Sequence, residues 1–131
     1  MKNPLDYSLS RFLNSLARLR EGATEARDEL DRDGVIQRFE FCFELLWKTL
    51  KIFLEDRGLD ARSPKDCLKA SFGQGWITDE DAFLDMLVDR NKTSHVYNRE
   101  ESQKIFDRIR QRHIPQIEAL AQRLQHLHQS G

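Results

Sequence analysis

The most constraining feature of this chain is the spacing of its first apolar residues. Leu9, Phe12, Leu16, Leu19, Ala23, Ala26 and Leu30 recur at alternating intervals of three and four. A helix turns once per 3.6 residues, so these positions form one stripe, the seam of a helix packed in a left-handed bundle. The pattern predicts one long helix through Leu30, broken by Asp31-Arg32-Asp33-Gly34. A second helix over residues 35–57 then carries Phe39, Cys42, Phe43, Leu46, Trp47, Leu50, Phe53 and Leu54 on one broad face, and Gly58 closes it at the C′ position. Trp47 falls inside this stripe and reads as core. Phe41, Leu45 and Ile52 lie off it, so the helix is predicted to be covered on two sides, by loops of its own bundle or by another subunit.

Ser63-Pro64 pairs an N-cap with proline at the first helical position and opens a short helix that ends near the glycines of Phe72-Gly73-Gln74-Gly75-Trp76. Thr78 and Asp81 have the spacing of a capping box before a helix through Phe83, Met86 and Leu87, and Asn98 and Glu101 repeat it before the last helix. That helix places Phe106, Ile109, Ile117, Leu120, Leu124 and Leu127 on its apolar side and contains Pro115. Proline there deprives the Gln111 carbonyl of its usual partner, which predicts a kink. No run of alternating β-branched residues suggests a strand. The expected fold is all-α, an up-and-down bundle of four to five helices forming a single domain over residues 1–131.

Charged residues make up 33% of the chain, yet the formal net charge is −1, so opposite charges are interleaved on solvated faces. Any nucleic acid must therefore be engaged locally rather than by a basic field. Cys42 and Cys67 stand far apart without clustered histidines, which argues against a zinc site or a disulfide framework and fits a reducing cytoplasm. No segment approaches the ~20 apolar residues that span a bilayer, and the start lacks the apolar run of a signal peptide. No Gly-rich phosphate loop and no paired-carboxylate metal motif occurs, so neither a metal nor a cofactor is expected.

Chemistry is concentrated in Arg90-Asn91-Lys92-Thr93-Ser94-His95-Val96-Tyr97. Arg90 lies one heptad after Phe83, on the face of core residues. It snorkels or pairs with Asp89 or Asp85 in a structural role, or it serves a ligand. In a continuous helix His95 would point roughly 140° away from Arg90. Thr93 and Ser94 favour local backbone bonds, so the helix can end there, and in an extended segment His95 and Tyr97 project to one side. The three side chains can then converge. Histidine can take the proton of a ribose 2′-hydroxyl while the guanidinium stabilises charge on the phosphoryl oxygens, which suffices for RNA cleavage without a metal.

Residues 90–97 resemble the R-x-x-x-x-H-x-Y signature of the HepT-like toxins of the HEPN superfamily, also called nucleotidyltransferase substrate-binding proteins. Asn91, Tyr97 and the aromatic helix Phe39-Glu40-Phe41-Cys42-Phe43-Glu44-Leu45-Leu46-Trp47 make the match specific, and it covers nearly the whole chain. The resemblance implies a HEPN-like homodimer with two copies of Arg90 and His95 in one cleft. They would be the catalytic pair of an endoribonuclease, with Asn91 in support. It further implies a cognate minimal nucleotidyltransferase antitoxin that transfers AMP to Tyr97. The alternative is a non-catalytic subunit that binds the substrate of a nucleotidyltransferase. Relatives often carry an acidic residue directly after the tyrosine; here Asn98-Arg99 intervenes before Glu100-Glu101, which touches partner recognition.

Other polar residues are given structural readings. His113, on the Ile109 and Ile117 face beside Pro115, is expected to satisfy groups loosened by the kink rather than to join the cleft. His126 and His128 do not face one another on a helix and form no site. Cys42 is a core position by spacing and Cys67 lies in a short helix without an evident basic activator, so neither reads as a nucleophile.

Overall fold

The computed structural model describes residues 3–93 and 98–130. Helix α1 spans Pro4–Glu25, α2 Glu29–Asp56, α3 Pro64–Gly73, α4 Glu80–Lys92 and α5 Arg99–Arg108; a π-helical turn over Ile109–His113 joins α5 to α6, Ile114–Ser130. No strand occurs among these residues, so the fold is the expected all-α bundle of five helical rods. Helix α2 is central, packing against α1, α3, α4 and α5, while α6 lies along α1. Phe12, Phe39, Phe43, Leu46, Leu50 and Ile117 are fully buried between them.

Local signals set most helix ends. Ser63 caps α3 by accepting from the Asp66 amide at 3.1 Å, and Asn98 caps α5 by accepting from Glu101 at 2.8 Å. Gly58 ends α2 with φ +78°, where the Leu59 amide reaches back to the Leu54 carbonyl. Three ends differ from expectation. The first helix stops at Glu25, and Asp28 caps α2 through the Asp31 amide, so Gly34 lies inside a helix and Leu30 is exposed. A charged side-chain cap, followed by burial of Val35 and Ile36, outweighs the roughly 1 kcal/mol that one helical glycine costs. Before α4 the cap is Asp79, bonded to the Ala82 amide, rather than Thr78.

Pro115 distorts the last rod as a π turn: the Ile114 amide donates to the Ile109 carbonyl, five residues back. One extra residue is accommodated before the proline, and His113 is thereby fully buried. Of the off-stripe residues on α2, Phe41 is 55% exposed and Leu45 and Ile52 are half-buried, so the described residues cover that face only in part. Trp47 is also only half-buried, packed against the edge of the core instead of within it. Among the described residues no helix is long and apolar enough to cross a membrane.

Candidate functional site

Helix α4 delivers four consecutive polar residues, Asp89, Arg90, Asn91 and Lys92, in its last turn. At its C-terminus the Thr93 amide donates to the Asp89 and Arg90 carbonyls, and the Thr93 hydroxyl donates to the Arg90 carbonyl at 2.7 Å. Helix α4 therefore ends where the poor helix formers begin. His95 and Tyr97 lie outside the described residues.

Arg90 is not paired with Asp85 or Asp89. Its Nη2 donates to Glu44 Oε2 on α2 at 2.5 Å, and its Nη1 donates to Asn91 Oδ1 at 3.2 Å. Trp47 Nε1 donates to the same Glu44 oxygen at 3.2 Å, and Lys48 Nζ stands 3.3 Å from the other. Burial pushes the Glu44 carboxyl up, but the Trp47 hydrogen bond and the positive charges of Arg90 and Lys48 outweigh it and hold the group ionised, below its ordinary range. Arg90 is a third exposed. Among the described residues two of the guanidinium's five N–H donors are engaged, and the rest can meet an anion.

The buried polar residue of α4 is Asp89, 3% exposed, because Ala82, Phe83, Met86 and position 89 share the core face. Arg108 grips its carboxylate with two hydrogen bonds, Nε to Oδ2 at 2.8 Å and Nη2 to Oδ1 at 2.7 Å. His113 Nε2 adds a third at 2.7 Å, and its ring stacks on Phe39 with centroids 5.4 Å apart. Burial alone would raise the Asp89 carboxyl; its donors His113 and Arg108 outweigh that and bring it down to about 2. An ionised Asp89 can only accept, so His113 Nε2 carries the hydrogen, and its Nδ1 is buried without a partner among the described residues. His113 thus has a structural role, through a carboxylate instead of loosened backbone. Asp85, in turn, holds Arg112 at 2.5 Å.

Two hollows adjoin the end of α4. One, of about 300 Å³, is lined by Thr93 and Asn98 and by the carboxylates of Glu29, Asp33 and Glu40, opposed by Arg99. The other, a groove of about 550 Å³ between α4 and α5, is lined by Asn91, Lys92, Lys104 and Arg108, by the apolar Val88 and Ile105, and by the carboxylate of Glu101. No group of three metal-ligating side chains occurs among the described residues. Burial raises the thiols of Cys42 and Cys67 to about 11 each, so both are poor nucleophiles at neutral pH. His128 pairs with Asp6, tying α6 to α1.

Glu44, Asp89 and Arg108 are not singled out as site residues by the sequence pattern. A carboxylate within the aromatic run of α2 is the one local signal for Glu44. Asp89 follows Met86 by three residues and Arg90 follows it by four, so periodicity alone does not decide which of them is buried.

Comparison with known proteins agrees with this architecture. Residues 7–126 match the model of a family described as nucleotidyltransferase substrate binding protein like. A Haemophilus influenzae protein named probable ribonuclease HepT is 32% identical over 81 residues, covering 58% of this chain and 56% of that protein, so the match spans about half of the relative's length. A crystal structure of a Thermus thermophilus protein superposes with a TM-score of 0.75 at 34% identity, covering 88% of this chain and 96% of the other. A structure of a Haemophilus influenzae protein, described as revealing the fold of a substrate binding domain of a nucleotidyltransferase, shares the fold with a TM-score of 0.67 at 24% identity, over 92% of this chain and 96% of that one. With its family match running through nearly the whole helical bundle, the chain belongs to the nucleotidyltransferase substrate-binding-like proteins.

Proposed function

We propose that this chain is a HepT-like toxin, a metal-independent endoribonuclease working in the cytoplasm as a homodimer of single-domain protomers, with Arg90 and His95 as its catalytic pair and Asn91 in support. The observation that carries the reading is Arg90 itself: a partly exposed guanidinium held by Glu44 and by Asn91, with donors left, among the described residues, for a phosphate. The relative named probable ribonuclease HepT supports the same assignment. The uncovered Phe41 on α2 is consistent with a second protomer on that face.

In this reaction His95 takes the proton of the ribose 2′-hydroxyl and the 2′-oxygen attacks the adjacent phosphorus. The bond from phosphorus to the 5′-oxygen breaks, and that oxygen collects a proton from solvent. The products are a 2′,3′-cyclic phosphate and a 5′-hydroxyl. Arg90 stabilises the charge that builds on the non-bridging oxygens. A cognate minimal nucleotidyltransferase antitoxin would silence the site by transferring AMP from ATP to the Tyr97 oxygen, releasing pyrophosphate. The added phosphate would then compete with RNA for Arg90.

The second reading is a non-catalytic subunit that presents substrate to a nucleotidyltransferase, which the family's description favours. Incubating purified, unmodified protein with a mixed RNA pool in EDTA, beside His95→Ala, separates the two. Cyclic-phosphate ends made by wild type and lost in the variant are expected; equal inactivity of both, with Tyr97 verified free of AMP, leaves the subunit reading.

A further inference from the structure

In the groove between α4 and α5, Lys92 of α4 lies opposite Lys104 and Arg108 of α5, with Glu101 on α5 as well and the apolar Val88 and Ile105 completing the lining. Asp89 beneath Arg108 and Glu100 beside Lys104 offset two of these cations, so the distinction of the groove is the geometry of its donors rather than a net charge. The neighbouring hollow beside Thr93 and Asn98 is acidic, with three carboxylates against Arg99. An extended polyanion leaving Arg90 would therefore be repelled from the start of α2.

One of these donors is fixed in place. Arg108 spends Nε and Nη2 on buried Asp89, which fixes the guanidinium plane, while the side chain remains 38% exposed and Nη1 bonds no described residue. An arginine locked by a buried carboxylate presents its remaining donors without losing rotamer freedom on binding. Lys92 forms no ion pair among the described residues, and Lys104 has only a loose pair with Glu100, 3.5 Å apart on open surface, that a phosphate can displace. Asn91 joins the two places, because it bonds the Arg90 guanidinium and also lines the groove.

We infer that the α4–α5 groove is a second phosphate subsite, formed by Lys92, Lys104 and Arg108, that holds the backbone of single-stranded RNA beside the nucleotide at Arg90. The inference rests on the ribonuclease reading for its choice of ligand. Its contacts are with phosphate, so it adds affinity and register and carries no base preference.

The test is fluorescence anisotropy of a labelled single-stranded RNA across a salt series, in a His95→Ala background that prevents cleavage. Removing two phosphate contacts with Lys92→Gln and Lys104→Gln together is expected to weaken binding roughly tenfold and to flatten the plot of log Kd against log salt by about 1.4. Glu101→Gln should tighten binding a few-fold. Lys65→Gln with Lys69→Gln, two exposed lysines on α3, should leave the slope unchanged. A slope unaffected by the groove variants, or flattened equally by the α3 pair, overturns the subsite. Weaker docking of the groove variants to a nucleotidyltransferase with RNA affinity intact would overturn it too, in favour of a protein interface. The ribonuclease reading fails separately: RNA bound with the predicted slope change but never cleaved by the unmodified wild type retains the subsite and removes the enzyme.

Discussion

Two arginine–carboxylate pairs meet at the last turn of α4, and they differ in almost everything but chemistry. Asp89 is buried beneath Arg108 and His113, with three hydrogen bonds on one carboxylate. Arg90, the next residue, is a third exposed and shares Glu44 with Trp47 and Lys48. The first pair fastens α4 to the rod formed by α5, the π turn and α6. The second orients a side chain that is still open to solvent. A guanidinium can be aimed at a ligand only if its backbone is held, and Asp89 supplies that hold one residue away.

The contrast is easiest to break at Asp89. Asp89→Ala leaves His113 and the Arg108 guanidinium without their acceptor and should cost roughly 3 kcal/mol of unfolding free energy, measured by urea denaturation. Arg90→Ala, which removes a partly solvated pair, should cost under about 1 kcal/mol.

Acid titration sharpens the same comparison. The folded-state carboxyl of Asp89 is held at about 2, below its unfolded value, so its stabilisation is present in full above about pH 4 and lost as pH falls toward 2. The integrated loss is on the order of 2 kcal/mol, and Asp89→Asn should remove that part of the slope. The Glu44 carboxyl is also shifted downward, but its exposed, screened pair should contribute far less in the same window.

Glu44→Gln keeps the shape and removes the charge. Stability should change by less than about 1 kcal/mol, while on the proposed ribonuclease reading RNA cleavage should fall about tenfold because Arg90 loses one of its two fixed partners. Equal activity in this variant would show that Asn91 alone positions the guanidinium. The smallest effect is expected at the thiols: Cys42 and Cys67, raised to about 11, should label with a disulfide reagent at pH 8 only as fast as the protein unfolds.

How far the sequence can be read depends on the range of the interaction. Caps at Ser63 and Asn98 and the turn at Gly58 act over three to five residues, and each is legible in order. The start of α2 is not, because Gly34 resembles a breaker and the apolar seam runs on to Leu30, whereas the capping energy resides in Asp28. Pro115 announces a distortion, but its form, a π turn that buries His113, depends on an acceptor 24 residues away at Asp89. Arg90 is marked by its motif, while its partner Glu44 is not, because the two are 46 residues apart and meet only after α2 and α4 pack.

The most direct test is to measure RNA cleavage and unfolding free energy together for Arg90→Ala. On the proposed ribonuclease reading, cleavage should fall at least about a hundredfold with stability changed by less than about 1 kcal/mol, because that reading assigns Arg90 to the phosphate and leaves the hold on α4 to Asp89. Retained cleavage, or a loss matched by unfolding, would contradict that division of labour.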